Sequence, residues 1–158
     1  MNEVTDVLIP VAVLGSALVA GIFYAFSTFV MSALGQLSAG EGIRAMQAIN
    51  VTVINPWFFA AFFGTAAACV FLAVGAAVGW AETDATYLFG GSALYLVGTI
   101  LVTIAFNVPL NDRLARVEPG TSEAAELWAH YLTRWNLWNH VRTAASLAAA
   151  AAFMVALS

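Results

Sequence analysis

Four long apolar runs, broken by three connectors, make up most of this chain, and few folds other than a bundle of helices in a bilayer can accept them. In lipid every backbone N–H and C=O must be satisfied internally, and within one segment only a helix does this, over about 20 apolar residues. The runs cover about residues 7–34, 56–80, 85–108 and 138–157. Composition agrees: 62% of the 158 residues are hydrophobic and 9% charged, whereas a water-soluble domain carries about 25% charge. Mean hydropathy is +0.88. The expected architecture is therefore all-α, a single transmembrane domain over residues 1–158: a four-helix bundle with two short amphipathic surface helices.

The caps of the runs are legible. Asn55-Pro56-Trp57 supplies an N-cap, a first-turn proline and an interfacial aromatic for the second run. Gly79-Trp80 ends it at a second interfacial aromatic, and Ala81–Asp84 is expected to be a tight turn into the third run, which should stop at Pro109. The acidic start, Met1–Asp6, argues against a cleavable leader, so the first run is expected to be retained. In the first linker Ser38–Glu41 fits a capping box, with Ile43, Met46, Ile49 and Val53 following at helical spacing. A second amphipathic helix should begin near Gly120–Glu123, carry Leu127, Tyr131 and Trp135 on its apolar side, and be able to continue into the fourth run.

Orientation follows from the basic residues. The chain has no lysine, and its five arginines are Arg44, Arg113, Arg116, Arg134 and Arg142. The positive-inside rule puts linkers 35–55 and 109–137 in the cytoplasm and both termini outside, in a multi-pass cell (plasma or inner) membrane protein. Small residues at four-residue spacing, Ala60/Gly64/Ala68, Gly75/Gly79 and Ala144/Ala148/Ala152, are expected to mark where helices approach closely. Beyond the bilayer itself, a bundle of this size can stand alone or pair as a homo-oligomer. The acidic pI of 4.9 and scarcity of basic residues exclude nucleic acid as a partner.

Several chemistries are excluded. The lone Cys69 rules out a disulfide or thiolate metal site within one chain and reads as a packing residue. His130 and His140 share one segment, which disfavours bis-histidine haem, and no metal-ligand spacing is present. The spans carry no acid, lysine or histidine near the bilayer centre, which argues against a proton-coupled exporter.

What remains is a polar constellation at the arginine-rich end. Tyr24, Ser27 and Thr28 approach it from the first run, Gln47 and Asn50 from the first linker, and Asn55 from the second run. Asn107 and Asn111 flank Pro109, and the fourth run opens with Trp135-Asn136-Leu-Trp138-Asn139-His140-Val-Arg142-Thr143. Helical spacing sorts this last motif into two stripes, Asn136/Asn139/His140/Thr143 and Trp135/Trp138/Asn139/Arg142. Amides, an imidazole and a guanidinium beside aromatic rings suit a flat, oxygenated, lipophilic aromatic molecule and could stabilise an anion formed on it. Structural roles compete at each position: Asn55 and Glu41 as helix caps, Trp135 and Trp138 as interface anchors, Arg142 reaching to headgroups, His130 simply solvated, and Asn107 and Asn111 satisfying backbone freed near Pro109.

At these residues the sequence resembles the anthrone oxygenase-like family of small four-span membrane proteins, many of them bacterial. The resemblance is carried by Phe26-Ser-Thr-Phe-Val-Met31, Ala45-Met-Gln-Ala-Ile-Asn50, Asn55-Pro-Trp57, Ala105-Phe-Asn-Val-Pro-Leu-Asn111 and Trp135-Asn-Leu-Trp-Asn-His-Val-Arg-Thr143, and it covers nearly the whole chain. It implies a monooxygenase-type oxidoreductase that converts an anthrone or related phenol to a quinone with O₂, needing no nicotinamide, flavin or other cofactor. On that expectation His140 is the candidate base, and Arg142, Asn139 and Asn107 stabilise the anion. Tyr24, Asn50, Asn55, Asn111, Asn136, Trp135 and Trp138 line the substrate. The alternative is a non-enzymatic membrane module that binds a lipophilic ligand or a partner subunit at the same end.

Overall fold

The structure, a computed structural model, describes residues 3–79 and 85–157. Trp80 and the expected Ala81–Asp84 turn lie outside the described residues, as do Met1 and Asn2. All regular structure among the described residues is helical. α1 (Glu3–Ala25) passes through a π-helical turn (Phe26–Val30) into α2 (Met31–Gly35) without a break. α3 (Ala39–Thr52) lies in the first linker, and α4 (Pro56–Ala77) follows it. α5 (Ala85–Tyr95) continues through two π-helical segments, Leu96–Leu101 and Thr103–Asn107, into α6 (Val108–Ala115). α7 (Ser122–Ala156) closes the fold.

Three of these continuous helices are long and apolar enough to cross a membrane: Val4–Gly35, Pro56–Ala77 and Ala85–Ala115. The protein is an all-α membrane bundle. α1 packs on α4 and α7, and α5 packs on the same two helices, which gives the ring order α1–α4–α5–α7. The arginine-bearing connections share one end: α3 packs on both α6 and α7. There Gln47 donates its Nε2 to the Leu114 and Val117 carbonyls at 2.8 and 3.2 Å, satisfying acceptors that the end of α6 leaves open.

Caps form as the side chains dictate. Asn55 Oδ1 accepts from the Trp57 and Phe58 amides at 3.1 and 3.0 Å, with Pro56 at the first helical position where no N–H is needed. Glu41 reaches back to the Ser38 amide at 3.2 Å and hydroxyl at 2.5 Å. Thr121 caps α7 by accepting from Ala124 N at 3.1 Å.

One boundary expectation is corrected. The third run does not stop at Pro109, because the chain remains helical to Ala115. The preceding turn is wound as a π-helix, with Val108 N bonded to Thr103 O. Such a wider turn makes room for a ring that would clash in a regular helix. The second amphipathic helix runs into the fourth run without a break, as its sequence allowed: it is the first half of α7, a rod of 35 residues and so about 52 Å long. The close approaches also use other small residues. Of the expected set Ala68 and Gly75 are buried and Ala152 half-buried, whereas Ala60, Gly64, Ala144 and Ala148 are exposed and Ala145, Ser146, Ala149 and Ala150 are buried in their place. A β-carbon on Gly98 would overlap Ala145, and one on Gly15 would overlap the Thr65 side chain, so these two positions set the α5–α7 and α1–α4 spacings. The register of α7 is one residue off the expected stripe because its polar side chains, described below, fix which side turns inward.

The core divides in two along the bundle axis. One cluster (Ile9, Ala12, Val19, Phe23, Phe62, Leu72, Tyr95, Phe153 and neighbours) fills the bundle between the spans. A second (Met31, Leu34, Ile43, Met46, Leu114, Trp128, Tyr131, Trp135) packs α3 against α6 and the first half of α7. A polar layer lies at the seam between them.

Candidate functional site

The polar layer is assembled by α7, and the π-helical segments of both neighbouring helices supply its partners. Asn139 is fully buried and uses its whole side chain. Its Nδ2 donates to the Phe23 carbonyl and to Ser27 Oγ, both at 2.7 Å, and its Oδ1 accepts from Arg142 Nη2 at 2.7 Å. Ser27 and Thr143 hydroxyls lie 3.1 Å apart, and Thr143 Oγ1 donates to the Asn139 carbonyl at 2.8 Å. The bonding is therefore directional: Thr143 spends its proton on the carbonyl, so Ser27 donates to Thr143 and accepts from Asn139. On the opposite flank Thr103 donates to the Thr99 carbonyl at 2.7 Å, which leaves its Oγ1 to accept from Arg142 Nη1 at 3.2 Å. The Thr99 and Ser146 hydroxyls meet at 2.7 Å one turn further in.

Arg142 is the centre of this arrangement. It is only 4% exposed and no carboxylate pairs with it among the described residues. The Phe23 ring lies 4.1 Å from its guanidinium carbon and the Trp135 ring 5.1 Å, so it is held between aromatic faces. Two hydrogen bonds and two cation–π contacts, the latter about 0.5–2 kcal/mol each, do not offset the several kcal/mol that burying a cation costs. Its Nε is buried without a partner. The competing structural role, in which Arg142 reaches out to headgroups, is not the one adopted: the side chain points into the bundle, where Asn139 and Thr103 offer acceptors.

Asn107, 1% exposed, donates Nδ2 to the Trp135 carbonyl at 3.2 Å, while its Oδ1 has no partner. Asn111 Oδ1 accepts twice, from the Tyr131 hydroxyl at 2.7 Å and from Trp135 Nε1 at 2.8 Å. Trp128, Tyr131 and Trp135 stack in a ladder along α7, with centroids 5.6 and 6.0 Å apart. Burial raises the Tyr131 phenol above its usual range, and the nearby Asn50 amide and Arg142 charge oppose this less strongly, so Tyr131 is a neutral donor.

The structure thus brings Asn107, Asn111, Trp135, Asn139 and Arg142 together, with half-buried Asn50 at the edge. Asn136 is half-buried with Oδ1 unpartnered, and Trp138 stacks on Phe106 at 3.6 Å. Three candidates fall elsewhere. His140 is exposed on the flank of α7, about 100° round from Asn139 on a regular helix, and does not share the buried layer. Tyr24 is 56% exposed on the outer face of α1. Asn55 has both ends of its amide engaged at the start of α4, donating to Thr52 O at 3.0 Å as well as capping. Phe23, Thr103 and Phe106 were not anticipated. Thr103 stands one turn before Asn107, a spacing that could have flagged it, whereas nothing in the sequence marks a phenylalanine as the platform for an arginine. His130 lines an open groove of about 450 Å³ between α6 and α7 with Arg113, Arg116, Glu123 and Glu126, where charges of both signs are mixed.

The fold and this layer define a class: a helical membrane bundle enclosing a buried, carboxylate-free arginine and amide cluster at one end. A family model described as anthrone oxygenase matches residues 57–152, more than half of the 158-residue chain. The chain belongs to the anthrone oxygenase family. The matched segment contains Thr103, Asn107, Asn111, Trp135, Asn139 and Arg142. No curated protein matches, and no solved structure does.

Proposed function

We propose that the protein oxidises an anthrone-like or phenolic lipophilic molecule to a quinone with O₂, and that the buried polar layer holds the substrate's anion. The observation that carries this reading is Arg142, a desolvated cation whose Nε lacks a partner and beside which no carboxylate stands. An anionic oxygen arriving there would gain a charge-assisted hydrogen bond in a dry setting, where such bonds are strongest.

Removing a proton from the anthrone methylene gives a delocalised enolate. Arg142 and the amide set would lower the cost of that charge, with Asn139 fixing the guanidinium by accepting from Nη2. The electron-rich carbon then reacts with O₂. In sum, one anthrone and one O₂ give one quinone and one water: two C–H bonds are lost, one C=O is formed, and the second oxygen atom leaves as water. His140 is the proposed proton acceptor from outside the layer, so its loss should slow the reaction less than loss of Arg142.

The same reading extends to topology. The apolar second half of α7 would be the fourth span, and exposed Arg44, Arg113, Arg116 and Arg134 would mark the cytoplasmic end, with both termini on the other side. The layer holds no carboxylate or imidazole among the described residues, which also suits a non-enzymatic module that sequesters a lipophilic anion.

Purified protein in lipid should consume O₂ and form quinone from an anthrone faster than protein-free lipid. Arg142→Gln should lower the excess rate about 100-fold, the scale of losing one oxyanion donor, and His140→Gln should lower it less. Equal rates with and without protein, together with saturable binding of the quinone, would replace the oxidase reading with the binding module.

A further inference from the structure

Two stacked rings adjoin the polar layer in the chain. Phe106 and Trp138 immediately precede the buried amides Asn107 and Asn139, and Trp138 stands one helical turn before Arg142. Their centroids are 3.6 Å apart and their planes 8° apart, a nearly face-to-face stack. Aromatic pairs favour offset or edge-to-face arrangements with centroids about 4.5–7 Å apart, because face-to-face quadrupoles repel. The other pairs in the described residues obey this, the closest being Phe62–Phe63 at 5.2 Å. The stack is also not core: Phe106 is 39% exposed and Trp138 half-buried. Within one turn of it lie a buried donor and a buried acceptor, Arg142 Nε and Asn107 Oδ1, neither with a partner.

We infer that the Phe106–Trp138 stack is the binding clamp for a planar, oxygenated polycyclic aromatic that enters sideways from the lipid. Its ring face takes the place of one partner in the stack, its carbonyl or oxyanion meets Arg142, and a hydroxyl donates to Asn107. The ligand class rests on the oxidase reading, but the binding event does not require turnover. A lipophilic ligand is concentrated in the membrane, and the part-exposed stack is where it would approach, between α7 and the π-helical segment before α6. Each part of the ligand meets a feature of the site: the close-stacked rings, the donor Nε of Arg142 and the acceptor Oδ1 of Asn107.

The test is a titration of a dihydroxyanthraquinone, which is shaped like the product and inert to O₂, into the full chain in phosphatidylcholine–phosphatidylglycerol nanodiscs. Tryptophan fluorescence is followed. Wild type should show saturable quenching. Trp138→Phe keeps the stacking surface, so it should bind within about two-fold of wild type yet lose the part of the quenching that Trp138 contributes, leaving that of Trp135 beside Arg142. Trp138→Ala and Phe106→Ala should each weaken binding about ten-fold, and Phe106→Leu, which keeps the apolar bulk, guards against a folding defect. Full quenching in Trp138→Phe, unchanged affinity in both alanine variants, or no saturable binding by wild type would overturn the clamp. Oxidation with an unchanged KM in Trp138→Ala would also overturn it while leaving the oxidase reading intact. Binding as described with no oxidation would do the reverse.

Discussion

At the scale of single residues, two buried asparagines make opposite contributions, although the sequence presents them alike. Asn139 has every polar atom paired, so Asn139→Leu strands the Arg142 Nη2 and removes the bonds to the Phe23 carbonyl and the Ser27 hydroxyl. A loss of about 3 kcal/mol or more is expected from that many broken bonds, with a matching fall in thermal midpoint in detergent. Asn107 gives up one hydrogen bond and already holds an orphaned oxygen. Asn107→Leu should therefore stay within about 1 kcal/mol of wild type while lowering affinity for a hydroxylated ligand. Similar melting shifts in the two variants would contradict this assignment. The two stripes at the start of the fourth run share Asn139, and between them they hold Arg142, Thr143 and Trp135, which are buried with it. They also admitted His140, because spacing alone cannot show how far the buried arc of a helix extends.

At the scale of elements, the π-helical turns do what regular helices could not. Each of the three segments carries a polar group inward: Ser27 from the first, Thr99 from the second, Thr103 and Asn107 from the third. Their widened turns leave main-chain groups and side chains displaced from the regular stripe, a feature common at functional sites. Close approach at Gly98 lets α7 bring Arg142 to Thr103. Gly98→Val should force the helices apart at a cost of about 1–3 kcal/mol and weaken oxidation as well, whereas Gly64→Val, at a position open to the outside, should leave both unchanged. The α3 cap is pH-sensitive. Hydrogen bonds from the Ser38 hydroxyl and amide hold the exposed Glu41 carboxyl below its usual range. A depressed carboxylate adds stability above its unfolded-state value and loses it as pH falls through the folded-state value. Protection of the amides at the start of α3, measured against their intrinsic exchange rates, should accordingly fall as the solution is taken below about pH 4, and Glu41→Gln should abolish that fall.

At the scale of the whole molecule, the proposed function requires the two connections to lie at one end of the bundle. Gln47 ties α3 to the end of α6, and the two share the second core. Single cysteines at Gln36 and Glu118, in a Cys69→Ala background, should therefore react with a membrane-impermeant thiol reagent from the same side, and a cysteine at Val4 from the other. Labelling of positions 36 and 118 from opposite sides would remove the proposed topology. Only four arginines remain to orient the chain, since Arg142 is committed to the interior.

The sequence by itself determined the class, the helices, most of the caps and the end at which polar groups gather. Each of these follows from local chemistry: apolar length, a capping side chain, a proline, the cost of a charge in lipid. Tertiary structure alone decided which polar groups face one another, that helix continues through Pro109, that Gly98 rather than the alanine stripe sets the helix spacing, and that Arg142 turns inward. Those outcomes depend on rotation and register between helices. In runs that are apolar on every side, rotation is set by a few buried hydrogen bonds between distant segments, and no local pattern records them.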